Sequence, residues 1–264
     1  PIQYSAAQNC LPGGIVFSTQ EQIDDFAADY PGCAVIQGDV IIDEAPGEVI
    51  DNLHGLFPIT RVSGSLSLFN TDELVDLSGL DDLQSIGGDF SIYDGDRLTD
   101  ITALSELKGI GGYLNFQFLD SLTSLSGLEG VITIGGDVEL FAFDLLTDIS
   151  ALHQLTQING TLKLGQLLVL EDLTGLHNIR TIESSMDFNL LPELLDLLPL
   201  RNLESVGYDI RLIRLSSLFN FKGLEGLTEA SHDLFISAGT NLTALTGLQN
   251  IFSVGNNLRM LGNS

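Results

Sequence analysis

Apolar and polar residues alternate in short runs that recur along nearly the whole chain. Take Gly136-Asp-Val-Glu-Leu140 as the reference and call Gly136 position 0. Positions 2 and 4 are then apolar in ten successive segments, from Val40 and Ile42 to Leu258 and Met260, while positions 1 and 3 are mostly polar. The segments that open at Gly88, Gly112, Gly136, Gly160, Ser184, Tyr208, His232 and Asn256 follow one another every 24 residues without slip. Two earlier ones open at Gly64, 24 residues before Gly88, and at Gly38, 26 residues before that. Alternation with a period of two predicts a strand with one face buried and one outward. A fixed period in this range predicts a solenoid, because one unit cannot bury its apolar face alone and stacking builds a continuous core. A whole coil separates successive strands, so they pair in parallel at about 4.8 Å.

Further apolar columns complete each coil. Position 10 is Leu from Leu74 to Leu242, position 13 runs from Leu77 to Leu245, and position 16 is Leu from Leu80 to Leu248. Position 22 runs from Ile86 to Val254. Position 12 is Asp76, Asp100, Ser124, Asp148, Asp172, Asp196 and Asn220, residue types that cap free backbone N–H groups where a short helical turn begins. This row is therefore expected to be structural.

The amino end departs from the pattern. Ser18-Thr-Gln-Glu21 reads as a capping box, and Ile23, Phe26, Ala27 and Tyr30 follow with helical spacing. Residues 1–37 are read as a cap with a helix over 18–30, and residues 38–264 as a ten-strand solenoid continuous with it. Cys10 and Cys33 are the two cysteines and both lie in the cap. They read as one staple formed in an oxidising compartment, the alternative being two unpaired buried thiols. At the carboxy end the tenth strand is expected to leave a bare edge, covered by a further domain or by another molecule.

A formal charge of −26 argues against nucleic acid or an anionic membrane as partner. No apolar run is long enough to span a bilayer, so direct membrane insertion is not expected. The chain contains no Gly-x-Ser-x-Gly, His-Glu-x-x-His, P-loop or Cys-x-x-Cys motif. No catalytic residue is assigned.

Three surfaces are candidates for function. On the outward sheet face, position 3 reads Glu139, Lys163, Asp187, Arg211, which makes either a cross-strand ion-pair ladder or a ligand clamp. Phe69, Tyr93 and Phe141 at position 5, with Tyr113 and Phe235 on the same face, are the aromatic groups used to recognise carbohydrate or protein, unless neighbouring loops cover them. Second, turn positions that are polar elsewhere become Leu168, Val169, Leu195, Leu198 and Phe219, either a self-association surface or a locally thicker core. Third, Asp72, Asp96, Asp120 and Asp144 stack at position 8, where repulsion invites a cation; calcium suits such oxygens, although no EF-hand or nonapeptide repeat is present. His153 and His177 occupy equivalent turn positions without a third ligand at zinc spacing.

Cys10, the predicted helix, Gly32-Cys33 leading into Ile36-x-Gly38-Asp-Val-x-Ile42, and units such as Leu122-Thr-x-Leu-x-Gly-Leu128 running to Ile134-Gly-Gly136 resemble receptor L-domains. Those are leucine-rich-repeat-like, right-handed parallel β-solenoids. The stretch Gly14-Ile-Val-Phe-Ser-Thr-Gln-Glu-Gln-Ile-Asp-Asp-Phe26 is similar to secreted or surface-exposed proteins of Bacteroidota, which often carry a separate carboxy-terminal sorting domain. The resemblance implies an extracellular, non-enzymatic module that binds protein or glycan at the cell surface and brings no catalytic residue. Two alternatives stand beside it: a structural unit that assembles through the apolar turn patch or the open edge, and a polysaccharide-acting enzyme.

Overall fold

The computed structural model describes residues 8–237, 239 and 241–262. The chain is a parallel β-solenoid. Its main sheet has eleven strands in sequence order, all parallel: Ile15–Phe17, Val40–Asp43, Leu66–Phe69, Phe90–Tyr93, Leu114–Gln117, Val138–Phe143, Leu162–Leu167, Met186–Asn189, Ile210–Ile213, Leu234–Ser237 and Leu258–Met260. We number the coils 1 to 11 by these strands. From coil 3 onward each residue faces the one 24 positions ahead, as in Leu66↔Phe90 and Leu114↔Val138.

The strand count corrects the expected ten. Ile15–Phe17 lies in the segment assigned to the cap, yet it pairs with Val40–Ile42 as an ordinary rung. Its alternation is right, with Phe17 buried and Val16 exposed, so the cap is itself the first coil. The helix also differs from expectation. It opens one residue later, with Thr19 rather than Ser18 as N-cap and Gln22 completing the capping box, and it divides into α1 (Gln20–Asp24) and α2 (Phe26–Asp29). Ile23 and Phe26 carry both pieces into the core. They rest on the turn His54–Leu56 of coil 2, where Gly55 admits the Ile23 carbonyl; a Cβ there would lie 1.8 Å from that oxygen. Cys10 and Cys33 form a disulfide that ties the chain ahead of coil 1 to the strand after α2.

The apolar columns form one core. Positions 2, 4, 10, 13, 16 and 22 are nearly all inaccessible from coil 3 to coil 9, and the aromatic rings of Phe90 and Phe116 meet edge to face inside it. Position 22 also does more than fill space. Two-residue strands such as Arg61–Val62, Ser85–Ile86 and Gly109–Ile110 pair in parallel there, a second narrow ladder that alternation alone did not predict. The position-12 side chains accept backbone N–H groups two residues ahead, from Asp76 with Ser78 (2.8 Å) to Asn220 with Lys222 (2.9 Å). That is the structural role expected of them.

From coil 3 to coil 9 the coils alternate in how they turn after position 12, and coil 10 breaks the alternation with Gly247 at φ 109°. Coils 4, 6 and 8 use short 3-10 helices, Thr102–Glu106, Ser150–Gln154 and Leu198–Asn202. Coils 3, 5, 7 and 9 instead place Gly79, Gly127, Gly175 and Gly223 at φ between 111° and 115°. Position 15 is thus Gly, Ala103, Gly, Ala151, Gly, Pro199, Gly, a repeat of two coils within the repeat of one.

Candidate binding face on the long sheet

Positions 1, 3 and 5 project from the side of the main sheet opposite the core. Their register is fixed by the strand pairing, so each column is a row of neighbours along the rod.

Position 1 is mostly structural. Its side chain accepts the backbone N–H of position 1 in the next coil: Asp39 from Ser65 (2.8 Å), Ser65 from Asp89 (3.0 Å), Asp89 from Tyr113 (3.0 Å), Asp137 from Thr161 (2.6 Å), Asp209 from Asp233 (3.1 Å) and Asp233 from Asn257 (2.9 Å). The glycines at position 0 leave room for this reach: a Cβ on Gly112 would fall 1.9 Å from the Asp89 carboxylate. These rungs satisfy backbone donors that the offset between coils would otherwise leave to solvent.

Position 3 carries the alternating charges. Lys163 pairs with Glu139 at 2.5 Å, and Arg211 lies 3.7 Å from Asp187 while donating to Asp209 at 2.6 Å. Desolvation pushes the Asp187 carboxyl above the usual carboxylate range, even against the pull of Arg211 and Lys163.

Position 5 carries the aromatics, and one residue missed by the sequence reading joins them. Phe69 faces Tyr93 in register, and Gln117 stands between Tyr93 and Phe141. Phe118, the next residue along, has φ of 56°, in the left-handed region. Asn70, Asp94, Ala142, Gln166, Leu190 and Arg214 share that conformation at the same position of their coils. In Phe118 it turns the ring back onto the face, edge to face with Tyr93 at 5.0 Å and with Phe141 at 5.9 Å. Lys163 sits 5.2 Å from the Phe141 ring centre. Phe141 leans over Gly165, where any Cβ would meet the ring at 2.7 Å. Tyr93, Phe118, Phe141 and Lys163 therefore form one ridge across coils 4 to 7, half in solvent, with the amides of Asn115 and Gln117 beside it.

The nine predicted face residues do not make a single site. Phe69, Tyr93, Glu139, Phe141 and Lys163 gather at or next to the ridge. Tyr113 is at position 1 and lines a shallow hollow of about 110 Å³ with Asn115, Asp137 and Glu139. Burial and the adjacent Asp89 raise its phenol. Asp187, Arg211 and Phe235 line a separate groove of about 290 Å³ over coils 8 to 11.

The apolar turn positions are at the surface. Leu168, Leu195, Leu198 and Phe219 are 39%, 53%, 47% and 53% exposed, and Val169 is half-buried. Leu145, 50% exposed, extends the patch, and Leu195 and Phe219 hold the same position in adjacent coils.

Asp72, Asp96, Asp120 and Asp144 are exposed in successive coils. Burial of its carboxyl, then Asp144, Asp96 and Asp94, raises Asp120; burial, then Asp72 and Asp96, raises Asp94. The four do not gather three oxygens within one coordination radius. Among the described residues, Asp209, His232 and Asp233 do, with ligand atoms within 4.8 Å of one another. Protein groups already occupy Asp209 there: Oδ1 pairs with His232 Nδ1 (2.7 Å) and accepts the Asp233 N–H, and Oδ2 holds Arg211. Tyr208 stacks flat on His232 at 4.2 Å. The cluster is a hydrogen-bonded node that fastens coils 9 and 10. His153 and His177 are likewise engaged by local backbone, at Ser150 and Gly175.

No protein-family model matches this chain, and comparison with curated proteins finds no match.

Proposed function

We propose that this chain is an extracellular, non-enzymatic binding module whose outer sheet face engages protein or glycan at a cell surface. The ridge of Tyr93, Phe118 and Phe141 carries the reading. Three rings held edge to face, with a lysine over one of them and amides alongside, offer an apolar body and polar rim at low entropic cost. The disulfide supports an oxidising location, and no helix among the described residues is long and apolar enough to cross a membrane. Arrays of glycans and of surface proteins probed with the parent and with Tyr93→Ala/Phe141→Ala test this. The double variant should lose the parent's ligands while still melting cooperatively; full retention of every ligand discards the ridge.

A second reading rests on the exposed patch from Leu168 to Phe219, which suits self-association into a surface layer. Leu195→Asp should then lower the mass seen by light scattering, and an unchanged mass removes the interface.

A further inference from the structure

The groove over coils 8 to 11 has a composition unlike the rest of this acidic rod. Residues 1–200 hold 31 acidic and 5 basic side chains, whereas residues 201–264 hold 5 of each. The whole net charge thus lies on the first part, and the last coils are neutral. In those coils position 3 reads Arg211, Phe235, Arg259, neighbours in register. The groove is lined by these three with Asp187, Asn189, Asp233 and Asn257.

Each lining group has a defined state. Arg211 is held by Asp209 and Asp187. Asp233 is held by Asn256 and Asn257, whose hydrogen bonds keep its carboxyl below the ordinary range. Arg259 makes no ion pair among the described residues. The Oδ1 of Asn189 is buried with no hydrogen-bond partner. Phe235, half-buried, stands between Arg211 and Arg259 in the strand register. The groove therefore asks for an anion at Arg259 and an apolar ring face on Phe235.

We propose, building on the outer-face reading above, that this groove binds a uronic acid unit of a glycan. A sugar ring with an equatorial carboxylate supplies both complements at once. Its C–H face lies on Phe235, and the carboxylate takes the planar fork of Arg259, one coil away. The volume is near the lower bound of small-ligand sites, enough for one ring. Through coil 10 the strands under the groove are paired on both sides, so a peptide gains no main-chain ladder there.

Calorimetry of the full chain with trimers of galacturonate, mannuronate and glucuronate tests the assignment. At least one should bind, the carboxyl-reduced neutral trimer should bind about tenfold or more weakly, and Arg259→Ala and Phe235→Ala should each weaken binding about tenfold. Arg259→Lys, which keeps the charge without the fork, should fall between. Both side chains are off the core, so circular dichroism should show parent-like folding. Tyr93→Ala/Phe141→Ala, about 29 and 19 Å from Phe235 at the coil spacing, should leave trimer binding within about twofold. Failure of all three uronates at millimolar concentration overturns the proposal, as does binding unchanged in both groove variants or binding only of peptides. Loss of array ligands in the ridge variant, with no uronate bound, would leave the outer-face reading standing alone.

Discussion

Gly127→Ala is the sharpest test of how the coils stack. At φ of 115° an L-residue is outside its favoured regions, and its Cβ would lie 2.2 Å from the Ile101 carbonyl oxygen of the coil below. The strained backbone costs about 1–3 kcal/mol. Relieving the overlap means parting two coils whose columns are fully packed, about 1–3 kcal/mol more. Alanine returns about 0.4–1 kcal/mol by restricting the unfolded chain. The net expectation is a loss of about 2–5 kcal/mol. The reverse change one coil earlier, Ala103→Gly, meets no such overlap and should cost only about 0.5–1 kcal/mol. Urea unfolding followed by far-ultraviolet circular dichroism compares the two at equal m-value. A Gly127→Ala protein within about 1 kcal/mol of the parent would refute the alternating-coil account.

Other expectations follow from the same geometry. Leu125→Ala, at a fully buried site, should lose about 2–5 kcal/mol in the same unfolding assay. Asp89→Ala removes the acceptor of the Tyr113 N–H and should cost about 1–2 kcal/mol, with Asp89→Asn recovering most of it. The folded Asp120 carboxyl is raised, so the native state holds its proton more tightly than the unfolded chain, and ionisation costs stability as pH rises from the unfolded value through the folded one. Asp120→Asn should therefore melt higher than the parent at pH 7, by about 0.2–0.5 kcal/mol after solvent screening. The gain should vanish below the unfolded carboxylate value and shrink in high salt.

The apolar columns were readable because a period of 24 puts identical side chains at identical places, and burial follows from that alone. Ile15–Phe17 escaped because a three-residue run at a spacing of 25 is too short to stand out beside the helix signal of Ile23 and Phe26. The division of that helix at Asp25 has no counterpart in the apolar spacing. Position 1 was read as merely polar, since nothing in alternation reveals that Asp39 or Asp89 reaches the next coil's backbone. The Gly, Ala, Gly, Ala alternation at position 15 has twice the 24-residue period, so a register of single coils does not reveal it. Phe118 could not be found by alternation at all: its ring joins Tyr93 and Phe141 only through a left-handed backbone. For the groove a signal existed. Position 0 changes from Gly to Ser184, Tyr208, His232 and Asn256 where position 3 becomes Arg211, Phe235 and Arg259. A break in two columns at once marks the end of the plain repeat.

Photo-cross-linking in the native setting tests the outer-face claim most directly. With benzoylphenylalanine in place of Gln117, between Tyr93 and Phe141, irradiation should join the protein to a surface glycan-bearing or protein ligand. The same group in place of Thr147, exposed on the turn side, should capture none of it. Adducts from Thr147 with nothing from Gln117 would contradict the account.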